Sequence, residues 1–167
     1  SAMRDFQNLN ARVGKSNVLV AETCEYRRHF LNFTPRCMIL TNIEEDHTDY
    51  FKDINDVVDA FTSFVQKLPK GGIIALNIDN TYVQDIAVKL DSAFLQIVTF
   101  GIDNTDAQWT ATELSVKDGK TLFTANLNGV PKEYFSLQVH GKHNVYNALS
   151  TIAFTYQFLH QGTQVGE

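Results

Sequence analysis

Short apolar runs alternate with a stretch of helical period along the first hundred residues, and this alternation limits the possible folds more than any other feature. Residues 17–21 (NVLVA), 36–41 (RCMILT) and 73–78 (IIALNI) are continuous apolar runs of strand length. Such runs are expected of strands buried on both faces. Each gives way to polar residues, at Glu22, Asn42 and Asp79. Between the second and third runs, Ile54, Val57, Val58, Phe61, Phe64, Val65 and Leu68 recur at helical spacing behind Asp53, which can cap the helix start. A helix over about 80–90 and a strand over 95–100 are expected next. Strands alternating with helices predict an α/β fold with a parallel sheet and right-handed crossovers.

The pattern changes after Gly101. Asp118-Gly119 and Asn128-Gly129 are hairpin signals between strand-like runs, so 109–116, 121–127 and 134–139 are expected to form a small antiparallel meander. A closing helix over 142–160 is expected to be lined by Val145, Leu149, Ile152, Ala153, Tyr156 and Leu159. The whole reads as a mostly parallel, Rossmann-like sheet flanked by helices, with the meander appended. Residues 1–3 (SAM) resemble a remnant of cloning, and 4–162 read as one domain, with a polar tail beginning at Gly162.

Nineteen acidic against fourteen basic residues give a net charge of −5, which argues against a nucleic-acid or anionic-membrane surface built on clustered Lys and Arg. No run approaches the ~20 apolar residues of a membrane span. Cys24 and Cys37 are too few for a disulfide framework or a Cys-rich zinc site and read as buried reduced thiols of a cytoplasmic protein.

Ligands of open parallel sheets sit beyond the carboxyl ends of the strands. Glu22, Glu25, Tyr26, Arg27 and Arg28 follow the first run, and Asn42, Glu44, Glu45, Asp46, His47 and Asp49 follow the second. A carboxylate and an imidazole meeting there could hold a divalent metal or act as an acid/base pair. Oxygen-rich sets with one His suit Mg²⁺ or Mn²⁺ better than zinc. Taken singly, each has an ordinary reading: Glu22 as a solvated strand-end carboxylate, Asp46 as a turn cap, Glu44 and Glu45 as a charged loop, Arg27 and Arg28 as surface charge. Asn144 and Asn147, at i and i+3 near a helix start, could read a heterocycle edge, or Asn144 could simply cap. The sequence has no G-x-x-x-x-G-K-[ST], G-x-G-x-x-G or G-x-S-x-G motif.

Three ordered segments, 20–26 (VAETCEY) with Phe30-Leu31, 41–50 (TNIEEDHTDY) and 141–148 (GKHNVYNA), together resemble the central ATPase domain of the Mur ligases. Asn10-Ala11-Arg12 with Gly14 fits the segment before the acidic strand, and the resemblance covers essentially 8–160. It implies an ADP-forming ligase of peptidoglycan synthesis that phosphorylates a carboxylate and lets an amine attack the acyl phosphate. The cofactors implied are ATP and Mg²⁺. Glu22 and His47 are implied as catalytic magnesium ligands, and Asn144, Asn147 and His143 as the adenine side. Asn10, Glu25, Tyr26, Asn42 and Asp46 are implied on the substrates' side, Asn42 and Asp46 by supporting the metal loop.

The resemblance is nearest to members that add L-alanine to UDP-N-acetylmuramate, the expected partners of the full-length protein. The family's phosphate loop is expected upstream, so this chain reads as a partial central domain that is inactive alone. An exposed sheet edge, open to self-association, is expected to result. Several later-step members carry a modified Lys where Ala60-Phe61-Thr62-Ser63 stand here, which fits the alanine-adding branch. A murein-peptide recycling ligase and a folylpolyglutamate-synthase-like enzyme are the alternatives within the family. A non-catalytic nucleotide-binding or scaffolding domain is the alternative outside it, since fold does not fix function.

Overall fold

The computed structural model describes residues 11–12 and 14–160. Asn10, residues 1–3 and the tail from Gly162 lie outside the described residues. Six strands form one sheet in chain order: β1 (Cys37–Leu40), β2 (Ile73–Asn77), β3 (Gln96–Gly101), β4 (Trp109–Lys117), β5 (Lys120–Leu127) and β6 (Val130–Leu137). The first four run parallel and the last three form the antiparallel meander. The α/β reading therefore holds. All five residues of β2 are buried, as a strand with layers on both faces requires.

Alternation along β2 sorts the core into two layers. Ile74 and Leu76 join Val57, Phe64 and Val65 of α1 (Ile54–Val65) and Val83 and Ile86 of α2 (Thr81–Ala87). Ala75 faces the other way, with Val98, Phe100, Trp109 and Phe123, under Val145, Leu149 and Ala153 of α3 (Lys142–His160). Two crossovers on one face are what right-handed connections running in one direction produce. Asp53 caps α1 as expected, accepting from the Asp56 N–H at 3.0 Å.

β4 pairs with β3 only through Phe100↔Trp109 and Gly101↔Thr110. It therefore continues for most of its length past the carboxyl end of β3. Both hairpins turn where the sequence indicated: Asp118 and Gly119 have φ of 50° and 73°, Asn128 and Gly129 50° and 76°. Two successive positive φ values give the turn whose twist matches the flanking strands.

Several expectations are corrected. Residues 17–21 form no strand, and Val18, Leu19 and Val20 are 61%, 82% and 90% exposed. Apolarity signals a demand for burial, but no described strand pairs with this run or with the outer edge of β1. Cys24 is exposed and Cys37 half-buried, both as free thiols, because Cys24 lies on the same irregular stretch. α2 ends at Ala87, about a turn short of the expected 90. β6 begins four residues early and includes Pro131, which an edge strand accommodates because its missing N–H costs no central ladder bond. Tyr156 and Leu159 are exposed. The fully buried residues of α3 stop at Ala153, and beyond it Tyr156 still packs edge-on against Trp109 of β4 despite its exposure.

Candidate functional site at the carboxyl edge

Parallel pairing brings the segments after β1, β2 and β3 to one edge of the sheet. The segment after β2 organises that edge. The Asn77 side chain donates to the Thr41 carbonyl at 2.8 Å. Asn80 caps α2 by accepting from the Val83 N–H, and its amide donates to Asn42 Oδ1 at 2.6 Å and to the Ile43 carbonyl at 2.9 Å. These bonds fix the start of the loop that carries Asp46 and His47.

His47 is held from several sides. Its backbone is left-handed (φ 53°), and its N–H donates to Asp46 Oδ1 at 2.6 Å. The N–H groups of Tyr50 and Phe51 both donate to its carbonyl. Its Nε2 lies 3.4 Å from Glu25 Oε1 and 3.9 Å from Asp46 Oδ2. The Tyr26 ring lies 4.7 Å from the imidazole between centroids, and the Tyr26 hydroxyl donates to Asp49 Oδ2 at 2.8 Å. Glu25 and Tyr26 are delivered by a tight 3₁₀ segment (Tyr26–Asn32) in which Arg27 and Arg28 are left-handed, at φ 51° and 58°. Arg28 is no loose surface charge: it pairs with Asp56 and lies over the Phe51 ring. Phe30, buried against Phe61 and Phe64, anchors the segment to α1.

Glu25, Asp46 and His47 each offer a ligand atom, all within 4.8 Å of one another. One imidazole and two carboxylates form a donor set that Mg²⁺ or Mn²⁺ accepts. A cleft of about 100 Å³ beside them is lined by Glu25, Asn42, Ile43, Glu44, Asp46, Val57 and Phe61. Glu22 stands exposed on the irregular segment three residues before Glu25 and is not one of these three.

Asn144 and Asn147 lie on the first two turns of α3. Asn144 is half-buried and its amide donates to the His140 carbonyl at 2.6 Å, while Asn147 is exposed. His143 folds back over Gly141: a Cβ there would come within 2.6 Å of the imidazole, and the φ of +102° already favours glycine.

Asp79 is a residue of this edge that the sequence pattern does not single out. Its Oδ2 accepts from the N–H groups of Ile102 (2.6 Å) and Asp103 (2.9 Å) and from the Tyr146 hydroxyl (2.6 Å). Its Oδ1 accepts from the Asn104 N–H at 2.7 Å. Burial works to raise its pKa, but the Tyr146 hydroxyl and the three N–H donors outweigh it and hold the carboxyl below its ordinary value. Burial, the bond to Asp79 and the charges of Asp79 and Asp103 push the Tyr146 phenol up, well above its ordinary range. The signal available in the sequence was three polar residues, Asn77, Asp79 and Asn80, crowded at the end of a strand.

The family model of the Mur ligase middle domain matches residues 6–155. The chain is 44% identical over 144 residues to the UDP-N-acetylmuramate–L-alanine ligase of Desulfitobacterium hafniense strain Y51, covering 86% of this chain and 31% of that protein. It is 39% identical over 148 residues to the ligase of the same description from Alkaliphilus metalliredigens strain QYMF, covering 88% and 31%. The chain thus spans under a third of the length of these relatives. Among solved structures, the UDP-N-acetylmuramate:L-alanyl-gamma-D-glutamyl-meso-diaminopimelate ligase of Neisseria meningitides is similar at TM-score 0.64 and 26% identity, over 82% of this chain and 39% of that one. The UDP-N-acetylmuramate-alanine ligase of Thermotoga maritima shares the fold at TM-score 0.64 and 21% identity, over 83% and 29%.

Proposed function

The chain belongs to the Mur ligase family through that family's middle domain, and from this premise we propose that it supplies part of the ATP-handling domain of a ligase joining L-alanine to UDP-N-acetylmuramate. The observation that carries the reading is the identity to ligases of that description along nearly the whole chain. In this reading a muramate carboxylate is phosphorylated by ATP and the alanine amine displaces phosphate from the acyl phosphate. The chain is a partial domain, with the phosphate loop supplied from outside it.

The site at the carboxyl edge takes the metal and the base. A bound magnesium ion supplies charge neutralisation at the transferring phosphoryl oxygens. His47 and Glu22 are its proposed ligands by matching position, and Glu25 and Asp46 add carboxylates within reach of His47. Asp46 holds the His47 backbone, Tyr26 bears on the imidazole ring, and Asn42 is tied by Asn80, so these residues orient the metal loop. Asn144 and Asn147 present amide donors and acceptors to the adenine edge, with His143 shaping the turn. No helix among the described residues is long and apolar enough to cross a membrane; with the cytoplasmic nucleotide substrate this reading requires, the protein works in the cytoplasm.

The test uses the full-length ligase. Glu22→Ala and His47→Ala are each expected to lower kcat on the order of a hundredfold or more, because the lost charge stabilisation is worth several kcal/mol. Glu22 is exposed, so its removal is expected to leave the melting temperature nearly unchanged. Near-normal kcat in both variants removes them from the site. The 167-residue chain itself is expected to release no phosphate from Mg-ATP; turnover by it overturns the partial-domain reading. The likeness to the Neisseria ligase favours a murein-peptide acceptor as the second reading. Assaying full-length enzyme with L-alanine against a murein tripeptide decides between them.

A further inference from the structure

Among the described residues, Asp79 is the one carboxylate at the carboxyl edge whose two oxygens are engaged by four donors from two other segments of the chain. Three donors are successive backbone N–H groups of the segment leaving β3, and the fourth is a hydroxyl on α3. The same loop reaches α3 a second time, through the ion pair of Asp103 with Lys142. The start of α3 is therefore clamped at two positions one helical turn apart, Lys142 and Tyr146, both leading back to Asp79. Asn144 lies between the clamped positions and Asn147 follows directly. Space around the carboxylate is tight as well. A Cβ on Gly101 would come within 2.6 Å of Asp79 Oδ1, so the glycine makes room for it.

We propose that Asp79 is a positioning residue that, through Tyr146 and the 102–104 loop, sets the placement of Asn144 and Asn147 for a purine base. The proposal rests on the reading of those two amides as the base-binding edge. A carboxylate is required because only it offers acceptors on both oxygens and no donor. An Asn at this position turns an NH₂ toward at least one N–H donor. The favourable orientation keeps the oxygen on the three-donor side and sets the NH₂ against Asn104 N–H. Tyr146 performs a separable part, since its hydroxyl ties α3 alone while the loop keeps its three bonds.

The experiment titrates the 167-residue chain with adenosine 5′-monophosphate in metal-free buffer and follows the side-chain amides of Asn144 and Asn147 by ¹⁵N NMR. Backbone hydrogen exchange is measured in parallel. Tyr146→Phe is expected to weaken binding at least threefold while Asn104 N–H stays protected. Asp79→Asn is expected to weaken it at least as much and to lose protection at Asn104. Val83→Ala, which removes buried methyl groups on the opposite face of the sheet, is expected to lower the melting temperature and leave binding unchanged. A purely structural role predicts instead that binding follows melting temperature across all three variants, and that outcome overturns the proposal. If Asn147→Leu weakens binding while Asp79→Asn and Tyr146→Phe do not, the proposal fails and the base-binding reading stands. If the wild-type chain shows no shift at millimolar nucleotide, or Asn147→Leu has no effect, the base-binding reading fails and the proposal with it.

Discussion

Gly101→Ala tests the packing around Asp79 with a single methyl group. The added Cβ would lie 2.6 Å from Asp79 Oδ1 and 3.2 Å from its Cγ, while its contact with Ala107 Cβ, at 3.5 Å, is ordinary. The clash is therefore with the carboxylate alone, and the carboxylate has to retreat by most of an ångström. Oδ1 accepts from Asn104 N–H at 2.7 Å, so a shift of that size breaks the bond. A hydrogen bond to a charged group is worth about 1.5–3 kcal/mol. Oδ2 moves with it and strains three further bonds, raising the cost. Against this, Gly→Ala at a compatible backbone gains about 0.4–1 kcal/mol by reducing unfolded-chain entropy. The net expectation is a loss of about 2–4 kcal/mol. For a domain of this size that lowers the melting temperature by roughly 5–15 °C.

The decisive measurement is a double-mutant cycle by chemical denaturation. In an Asp79→Ala background the clashing atoms are gone, and Gly101→Ala is expected to become neutral or stabilising by up to about 1 kcal/mol. A change of sign with background is difficult to obtain from any other cause. If Gly101→Ala costs less than about 0.5 kcal/mol in the wild type, the contact carries no energy. If it costs the same in both backgrounds, the cost arises elsewhere, and the reasoning about Asp79 is wrong.

Asp79 also makes stability pH-dependent. Its folded pKa lies below the unfolded value, so its contribution is fully present above about pH 4 and is lost as pH falls through the folded pKa. The melting-temperature gap between wild type and Asp79→Asn is expected to narrow below pH 4, and a constant gap would show that the carboxylate is not the source. Tyr146 has the opposite sign: its folded pKa is raised, so its contribution is intact below about pH 10 and lost above it, and melts of Tyr146→Phe against wild type from pH 9 upward are expected to converge. Asn80→Ala removes both the α2 cap and two donors to the His47 loop, for an expected loss of about 1–3 kcal/mol by denaturation, whereas Asn80→Ser keeps a capping oxygen and is expected to lose about half as much.

Local chemistry made part of this fold readable. Asp118-Gly119 and Asn128-Gly129 turn where they do because their own backbones reach positive φ at small cost, which depends on no distant residue. β2 was equally plain, since five residues buried on both faces leave no polar position to confuse the pattern. Residues 17–21 carry the same kind of signal without the outcome. Burial needs a neighbour, and no described strand lies beside Val18, Leu19 and Val20. The candidate site divides in the same way. His47 and Asp46 were legible through their place after an apolar run of strand length and through the family resemblance of residues 41–50, since an Asp-His pair alone is common. Glu25 comes to His47 only because two left-handed residues, Arg27 and Arg28, fold the following chain sharply back onto α1. Asp79 was visible in the sequence only as one of three polar residues at a strand end, since its partners are 23 to 67 residues away and its role lies in their convergence.

The position of these anchors follows from the strand order. β2 lies between β1 and β3, so the segment leaving it is adjacent to the loops leaving both neighbours. Asn77 and Asn80 reach the β1 side, at Thr41, Asn42 and Ile43, and Asp79 reaches the β3 side and α3. A polar anchor after β1 borders β2 alone, and one after β3 does not border β1, so neither position adjoins both the β1 and the β3 loops. The arrangement has an energetic condition. A partly buried carboxylate is unfavourable unless its acceptors are filled, and Asp79 meets the condition with four donors. Three are backbone N–H groups that the chain must satisfy in any case. The fourth ties in α3, so the group that closes the β3–β4 connection also fixes the helix carrying Asn144 and Asn147. The His47 loop and the amide-bearing helix thus hang from one stretch, Asn77 to Asn80, and substitutions there are expected to disturb both sides of the candidate site together, whereas changes in the 3₁₀ segment, at residues such as Arg27, disturb only the His47 side.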